Sequence, residues 1–473
     1  MEDHHHYDDA PRFTWDEMTA AVGGEWLLAP TAEMAQHVVD DSRRVAPGDL
    51  FVAIVGELAD GHRYVTRAAE AGAAAVLVER QPDDDAMLRL GELGCGCLLV
   101  PDSLSAFMAL AEAHRLRWPR LPVVGVTGSC GKTSSKEMCA AVLAGAGETP
   151  VLRTQGNTNN FFGVPRNLLR LDARCGAAVI EMGSNHPGEI RRLAAMTHPT
   201  VGLVCNIGAA HLEFFGNLDG VAEEKGDLLE ALPEDGIAVM PAEAHGLDIL
   251  RRHAGSRRTL TFGEGPDCDV RVLGQRLLTD GSSEVRFAAP AFGGGEVTLV
   301  WRLGGRHQAL NAAGALAVGL ALGIPLERGV AGLAGLELPG ARMRVETLGG
   351  VHWVDDAYNA NPTSMAAALD WFAAITATAP ARTLVLGDMR ELGTQAADAH
   401  ERLLARVARE FADARVLTVG EAMERPAQRH GFRHVRTADE ASGMLAGMTL
   451  AEGEWVLLKG SNSIGLSRLV PRG

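Results

Sequence analysis

Apolar and polar positions alternate in blocks along the first hundred residues, in a β-α-β rhythm. Leu50–Gly56 (LFVAIVG) is an unbroken apolar run and predicts a buried strand. His62–Gly72 carries helical spacing, and Ala73–Glu79 predicts the next strand. A strand near Leu98–Val100 and a helix through Ala106–Leu116 then lead to the break WPRLP. The middle third repeats the rhythm. Strand Val123–Val126 enters a glycine loop, and a helix follows over about Lys132–Ala144. Strand Ala177–Gly183 precedes a helix that Pro187 could open, and strand Val201–Ile207 precedes a helix near Val221–Leu232.

Strands that alternate with helices predict a parallel, doubly wound sheet covered on both faces. Residues from about Asp267 to Leu303 change to alternating apolar positions with glycine punctuation, which predicts a small antiparallel addition. After the turn-rich Leu336–Arg344, the runs TLVLGDM, ARVLTVG and EWVLLKG, with a helix over Ala397–Arg409, supply a third α/β set. The expected fold is α/β in three domains. Residues 1–100 form a smaller N-terminal α/β domain, 101–338 a central doubly wound P-loop domain, and 339–473 a Rossmann-like C-terminal domain.

Composition narrows the function. With 47% apolar and 22% charged residues, the chain has the balance of a soluble protein with real cores. His307–Leu326 lacks Asp, Glu, Lys and Arg, but it holds Gln308, Asn311, three glycines and Pro325, so a buried helix is expected and no membrane span. Forty-four basic against sixty acidic residues give a net charge of -16, which argues against a nucleic-acid binder or a polybasic membrane clamp. An anionic substrate stays allowed, because a phosphate site needs few cations. The seven cysteines have no framework spacing, and the start MEDHHHYDD is acidic where a signal peptide would be basic and then apolar. Reduced thiols, a cytoplasmic location and a monomer are expected. The terminal LVPRG resembles a protease-cleavage scar and carries no functional weight.

The segment VVGVTGSCGKTSSKEM places a glycine-rich turn between an apolar strand and a helix start. Amides from Gly128 through Ser129, Cys130, Gly131 and Lys132 to Thr133 can point at a polyphosphate, and the helix N-terminus adds its dipole. Lys132 would reach the β/γ-phosphates and the Thr133 hydroxyl would bind Mg²⁺. The strict Walker spacing needs glycine where Val126 stands, so T-G-x-x-G-K-T is a shorter variant, running from Thr127 towards Ser134. A tight turn with an incidental lysine is the bland alternative, and the flanking strand with GKT favours ATP. Glu181 ends a strand, where open α/β sheets bind ligands. His211 follows another strand, and Lys225 sits on a helix. Taken singly, Lys225 reads as a solvated helix residue and His211 as a satisfied loop histidine.

Six segments in order change that weighting: TGSCGKTSSKEM, TQGNTNNFFGVP, EMGSNHPGEI, NIGAAHLEFFG, DDAYNANPTSM and GDMRELG. Together they resemble the Mur ligase family of peptidoglycan synthesis, and within it the branch that adds D-alanyl-D-alanine. The resemblance implies an ATP-dependent amide ligase joining D-Ala-D-Ala to a UDP-MurNAc-tripeptide through an acyl phosphate. It implies that Glu181 and His211 ligate magnesium and that Lys225 is carbamylated. It also implies that Arg342, with Arg344 as its neighbouring competitor, reaches the phosphates on domain closure. Lys132, Lys225, His211 and Arg342 are thus the expected catalytic set. Asn311 matches an adenine contact, and Asp356 an acidic residue near the ribose, flanked by Tyr358 and Asn359.

DSRRVAPGDLFVAIVGELADGHRYV is similar to the family's uridine-nucleotide domain, which places Ser42 and Arg43 on the uridine diphosphate. Asn157, Thr158 and Asn159 match a polar loop facing the sugar phosphate. For the dipeptide, Asp388 and the strand end Lys459–Ser461 are candidates. Cys130 departs from the usual Ser, Thr or Asn, and Arg166 and Asn167 from the usual Leu and Thr. The alternatives are a diamino-acid-adding ligase, whose usual D-N-P-R is absent here, or a folylpolyglutamate-synthase-like enzyme.

Overall fold

In the computed structural model the described residues are 12–471, apart from 57–58, 146, 148, 210, 279–281, 294 and 341–343, and without the side chains of 277 and 344. Contacts group the chain into two compact units. The first holds Met1–Gly125, Glu148–Gly183 and Arg191–Thr200; the second holds Val126–Gly147, Ser184–Ile190 and Val201–Gly473.

The unbroken apolar runs of the first unit form a five-stranded sheet. Its order is Glu25–Leu28, Gly96–Leu99, Ala75–Val78, Leu50–Val52, Val38–Val39, with the first pair antiparallel and the others parallel. Successive residues of each run feed different cores. Leu50, Val52, Ala75, Leu77 and Leu98 pack with Phe107 and Leu110 on one face, whereas Phe51, Ala53, Val76, Val78 and Cys97 pack with Val65, Ala68 and Leu90 on the other. Burial on both faces removes the polar alternation expected of a one-sided strand. The helix expected from His62 begins as a 3-10 turn, Gly61–Tyr64, and becomes α-helical over Val65–Glu70. A helix over Trp15–Val22, absent from the expected elements, is closed by a capping box between Thr14 and Glu17. The first unit also holds the parallel pair Val151–Arg153 and Ala177–Glu181.

In the second unit four strands run parallel: Val201–Val204, Ile237–Pro241, Arg258–Gly263 and Val270–Leu277. Ser283–Ala288 and Val297–Trp301 then continue antiparallel, as the change in pattern after Asp267 predicts. The charge-free segment forms the buried helix Arg306–Ala321. It packs tightly on the helix Lys132–Ala144, since a Cβ on Gly319 would stand 2.6 Å from Val142. Among the described residues no helix is long and apolar enough to cross a membrane.

The C-terminal part of this unit is a six-stranded sheet in the order Arg344–Leu348, Val351–Asp355, Trp455–Lys459, Arg382–Gly387, Arg415–Val419, Arg433–Val435. Only its first pair is antiparallel. Again alternate residues enter two cores: Val354, Leu384, Leu386 and Leu457 one, Trp353, Val385, Leu417 and Leu458 the other.

Candidate functional site

The glycine turn sits where the strand Val123–Thr127 gives way to the helix Lys132–Ala144. Gly131 caps that helix with φ 76°, and a Cβ there would meet Asn311 Oδ1 at 2.6 Å, so only glycine fits both the backbone and the contact. The segment after strand Val201–Val204 braces the turn from the side. Asn206 O accepts from the Ser129 amide at 3.2 Å, and its Oδ1 accepts from the Cys130 amide at 2.9 Å. Ser129 Oγ donates to Gly208 O and accepts from Gly208 N, both at 2.9 Å. Lys132 Nζ rests on Gly128 O at 2.8 Å, within its own loop. Asn361, the N-cap of the helix Pro362–Ile375, donates through Nδ2 to Cys130 Sγ at 2.8 Å. The unusual cysteine is therefore a contact between the phosphate turn and the YNANP segment.

Lys225 is not a solvated helix residue. It lies on the helix Leu218–Glu230 with 2% exposure, and its Nζ donates to Ser184 Oγ at 2.6 Å. Burial, and after it the Lys132 charge, push this amine down to about 7, while Glu224 and Glu189 work against the shift. The neighbouring Glu224 accepts the amides of Gly188 (2.6 Å) and Ile190 (2.9 Å), which fixes the start of the helix Glu189–Thr197. His211 stands in the left-handed region, φ 51° and ψ 34°, just before the short helix Leu212–Phe215. Burial pushes its imidazole down to about 4, helped by the charges of Lys132 and Lys225. These shared interactions place Lys132, Lys225 and His211 in one cluster, with Glu189 the carboxylate that works against both shifts. An ammonium at Lys225 would repel a divalent cation. An amine near pKa 7 is unprotonated often enough to take up CO₂, and the resulting carbamate supplies the oxygen donors that magnesium prefers.

Three family models match the sequence: "Mur ligase family, catalytic domain" over residues 36–112, "Mur ligase middle domain" over 126–319, and "Mur ligase, glutamate ligase domain" over 341–462. The UDP-N-acetylmuramoyl-tripeptide–D-alanyl-D-alanine ligase of Escherichia coli (strain K12) is 37% identical over 460 residues, covering 97% of both chains. The chain belongs to the Mur ligase family. A crystal structure of MurF from Acinetobacter baumannii matches with TM-score 0.88 at 30% identity over 98% of both chains. The MurF ligase of Thermotoga maritima in complex with ADP matches with TM-score 0.78 at 28% identity, over 92% of this chain and 96% of that one. The three-domain α/β Mur ligase fold is thereby established.

The other residues expected for a Mur ligase site are spread along the chain. Thr127 and Ser134, at the two ends of the turn, are buried, as is Thr133. Asn311 is 6% exposed, lies against Gly131 and donates to Gln308 Oε1 at 3.2 Å. Asp356 pairs with Lys459 at 2.7 Å, and the same ammonium donates to the carbonyls of Asp356 and Asn359 at 3.3 and 3.2 Å. Lys459 thus holds the backbone of the segment carrying Tyr358. Arg342 lies outside the described residues, as does the side chain of Arg344. Asp388 is 1% exposed, and its two oxygens accept the amides of Ala422 and Met423 (3.2 and 3.1 Å), so its carboxylate anchors a loop.

In the first unit, Glu181 is buried at its strand end, with Oε1 accepting from Asn159 Nδ2 at 2.9 Å. Asn159 is therefore engaged with Glu181, whereas the resemblance alone had it facing a sugar phosphate. Ser42 is nearly buried. The exposed Arg43 forks onto Asp41 (2.9 and 2.7 Å), and its hydrogen bonds hold that carboxyl down at about 2. The two departures from the family now have a structural reason. Arg166 forks onto Asp40 at 2.8 and 2.7 Å, tying the segment after TQGNTNN to the one carrying Ser42 and Arg43. Asn167, 2% exposed, accepts from the Gln155 amide and donates to Thr158 O, Thr158 Oγ1 and Gly163 O at 2.7–3.1 Å. It holds the loop of Asn157 and Thr158 in shape. Ser184, Asn206 and Asn167 are residues that sequence reasoning left without a role, and Lys459, a candidate for the dipeptide, is engaged with Asp356. Lys459 carried a sequence signal, its place at the end of an apolar strand; the other three carried none.

Proposed function

We propose that this Mur ligase joins D-alanyl-D-alanine to UDP-MurNAc-tripeptide at the expense of ATP, giving ADP and phosphate. The observation that carries the reading is the fully buried Lys225, its amine pushed down to about 7 and interacting electrostatically with Lys132 and His211, an arrangement that a plain nucleotide-binding fold has no use for. The names of the E. coli and A. baumannii relatives support the choice of substrates.

The turn amides and Lys132 bind the polyphosphate and orient its γ-phosphoryl group towards the tripeptide carboxylate. Two unit charges of like sign at 4 Å repel by about 4 kcal/mol at an effective dielectric near 20, so the attack needs several local cations. Lys132 is one, and Arg342 is proposed as another. Thr133, His211 and carbamylated Lys225 would hold magnesium, which supplies charge neutralisation at the phosphates; the family match alone assigns Glu181 to the same ion. The carboxylate oxygen bonds to the γ-phosphorus as the bond to ADP breaks. The dipeptide amine then attacks the acyl carbon, loses a proton, and inorganic phosphate leaves. A free α-amino group has a pKa of about 8, so roughly a tenth is neutral at pH 7 and no dedicated base is required.

Residues 1–100 are assigned to the uridine nucleotide through Ser42, Arg43, Asn157 and Thr158 (the last two from the adjoining segment), 101–338 to ATP, and 339–473 to the dipeptide. The enzyme is proposed to act as a cytoplasmic monomer. Phosphate release from ATP with UDP-MurNAc-tripeptide tests the reading. It should require D-Ala-D-Ala, and release with free diamino acids alone would refute it.

A further inference from the structure

Two non-glycine residues with left-handed backbones touch in the second unit. His211 has φ 51° and Glu391 φ 62°, and His211 Nδ1 lies 3.3 Å from Glu391 Oε2. For a glutamate this backbone region is uncommon and persists only where the surroundings impose it. Burial does not impose it here, because the Glu391 side chain is 65% exposed. The loop leading to Glu391 does. Asp388 is anchored by the Ala422 and Met423 amides, Met389 N donates to His400 Nε2 at 2.9 Å, and Arg390 N donates to Ser461 Oγ at 3.0 Å. Beyond Glu391, a Cβ on Gly393 would lie 3.1 Å from Glu213 Cβ, so the loop rests on the segment that carries His211.

An exposed carboxylate beside a histidine is ordinarily a weak surface pair. What sets this one apart is which nitrogen it meets. A carboxylate accepting from Nδ1–H fixes the imidazole tautomer that leaves the Nε2 lone pair available to a cation, and it fixes the ring orientation as well. At 3.3 Å the exposed Glu391 carboxylate lies close enough to Nδ1 to serve as that acceptor.

We propose that Glu391 is a positioning residue for His211, presenting Nε2 to the divalent cation. The inference rests on the reading of His211 as a cation ligand. Glu391 comes from the C-terminal sheet and His211 from the segment that braces the phosphate turn. Cation binding and the docking of the GDMRELG loop therefore favour one another, and by linkage the effect is reciprocal.

Mn²⁺ binding in the presence of ADP, followed by the electron paramagnetic resonance signal of the free ion, tests this without turnover. His211→Ala should weaken binding more than tenfold. Glu391→Ala should weaken it about tenfold, the lower range for losing the carboxylate behind a histidine ligand, and Glu391→Gln less. Glu391→Gly relieves the backbone while removing the carboxylate. It should bind Mn²⁺ as poorly as Glu391→Ala with a thermal midpoint no lower than that of the parent. If His211→Ala weakens binding while Glu391→Ala and Glu391→Gly stay within twofold of the parent, the positioning role is overturned and the ligand role stands. If His211→Ala itself stays within twofold, the ligand reading fails and the positioning role with it.

Discussion

Lys459→Met tests how the segment DDAYNANP is held. The Lys459 side chain is 3% exposed and its ammonium has three acceptors: Asp356 Oδ2 at 2.7 Å, Asp356 O at 3.3 Å and Asn359 O at 3.2 Å. At 2.7 Å the gross attraction is about 6 kcal/mol for an effective dielectric near 20. Desolvation of a buried ammonium costs several kcal/mol, so the intact pair contributes little net stability. Removing one partner is a different matter. Methionine matches the length and burial of the stem but removes the ammonium that Asp356 and two carbonyls share, a loss of ~3–5 kcal/mol in fully buried pairs. Asp356 retains 15% exposure, which puts the expected loss at about 3 kcal/mol, the low end of that range. Urea unfolding followed by tryptophan fluorescence reads it, since Trp353 and Trp455 lie in the two paired strands that end at this site. The double variant Lys459→Met, Asp356→Asn should recover part of the loss, because it removes the stranded charge. A single variant within about 1 kcal/mol of the parent, or strictly additive effects in the double variant, would refute the argument.

Other expectations follow from the same structure. His114 is fully buried with Nε2 at 2.9 Å from Leu171 O, and burial pushes its imidazole down to about 4. Because the unfolded chain takes up that proton near 6.5 and the folded one does not until about 4, stability should fall as the pH drops through this window; His114→Gln should flatten that slope in calorimetry, and an unchanged slope contradicts it. Lys225→Ala should lose ligase activity and regain part of it with added short carboxylates, whereas full activity in the unsupplemented variant removes Lys225 from the site. Asn167→Ala leaves buried groups of the Gln155–Gly163 loop unpaired, so it should cost about 2 kcal/mol and raise the KM for the uridine nucleotide more than that for ATP. Equal changes in the two constants would count against a local role for the loop.

Much of the fold was legible because the strands are buried on both faces. Runs such as LFVAIVG and TLVLGDM stand out from any amphipathic helix, and the glycine turn marks where one of them ends. Two local signals were present and went unread. Thr14 and Glu17 spell a capping box before Trp15–Val22, and Gly349–Gly350, with φ 59° and 78°, is the two-residue turn of the hairpin Arg344–Leu348 and Val351–Asp355. The site divides differently. Lys132 and Thr133 follow from the turn itself, and Glu181 from its strand end. Lys225, His211 and Asp356 became candidates only through the family resemblance, because a lysine on a helix has no distinguishing local signal. Ser184 and Asn206 were beyond reach for a physical reason: each acts on a group brought near by the crossover connections of the sheets, and no local spacing records that.

The net charge of -16 looks ill-suited to an enzyme that handles two polyanionic nucleotides, and the structure shows why it is not. What the chemistry requires is a few cations at one place, and Lys132 in the glycine turn is one of them. Lys132 and Lys225 depress one another's neighbours instead of being neutralised: His211 is pushed to about 4 and Lys225 to about 7, largely by desolvation. Burial thus lowers the positive charge that Lys225 and His211 would carry in water, and an anion bound beside them would favour their charged forms. Elsewhere, carboxylates form exposed pairs with arginine such as Arg402–Asp398, which contribute little stability. Overall charge and local potential are therefore separate design variables in this protein. A chain with a basic surplus would gain nothing at the site and would attract nucleic acid that competes with the nucleotides.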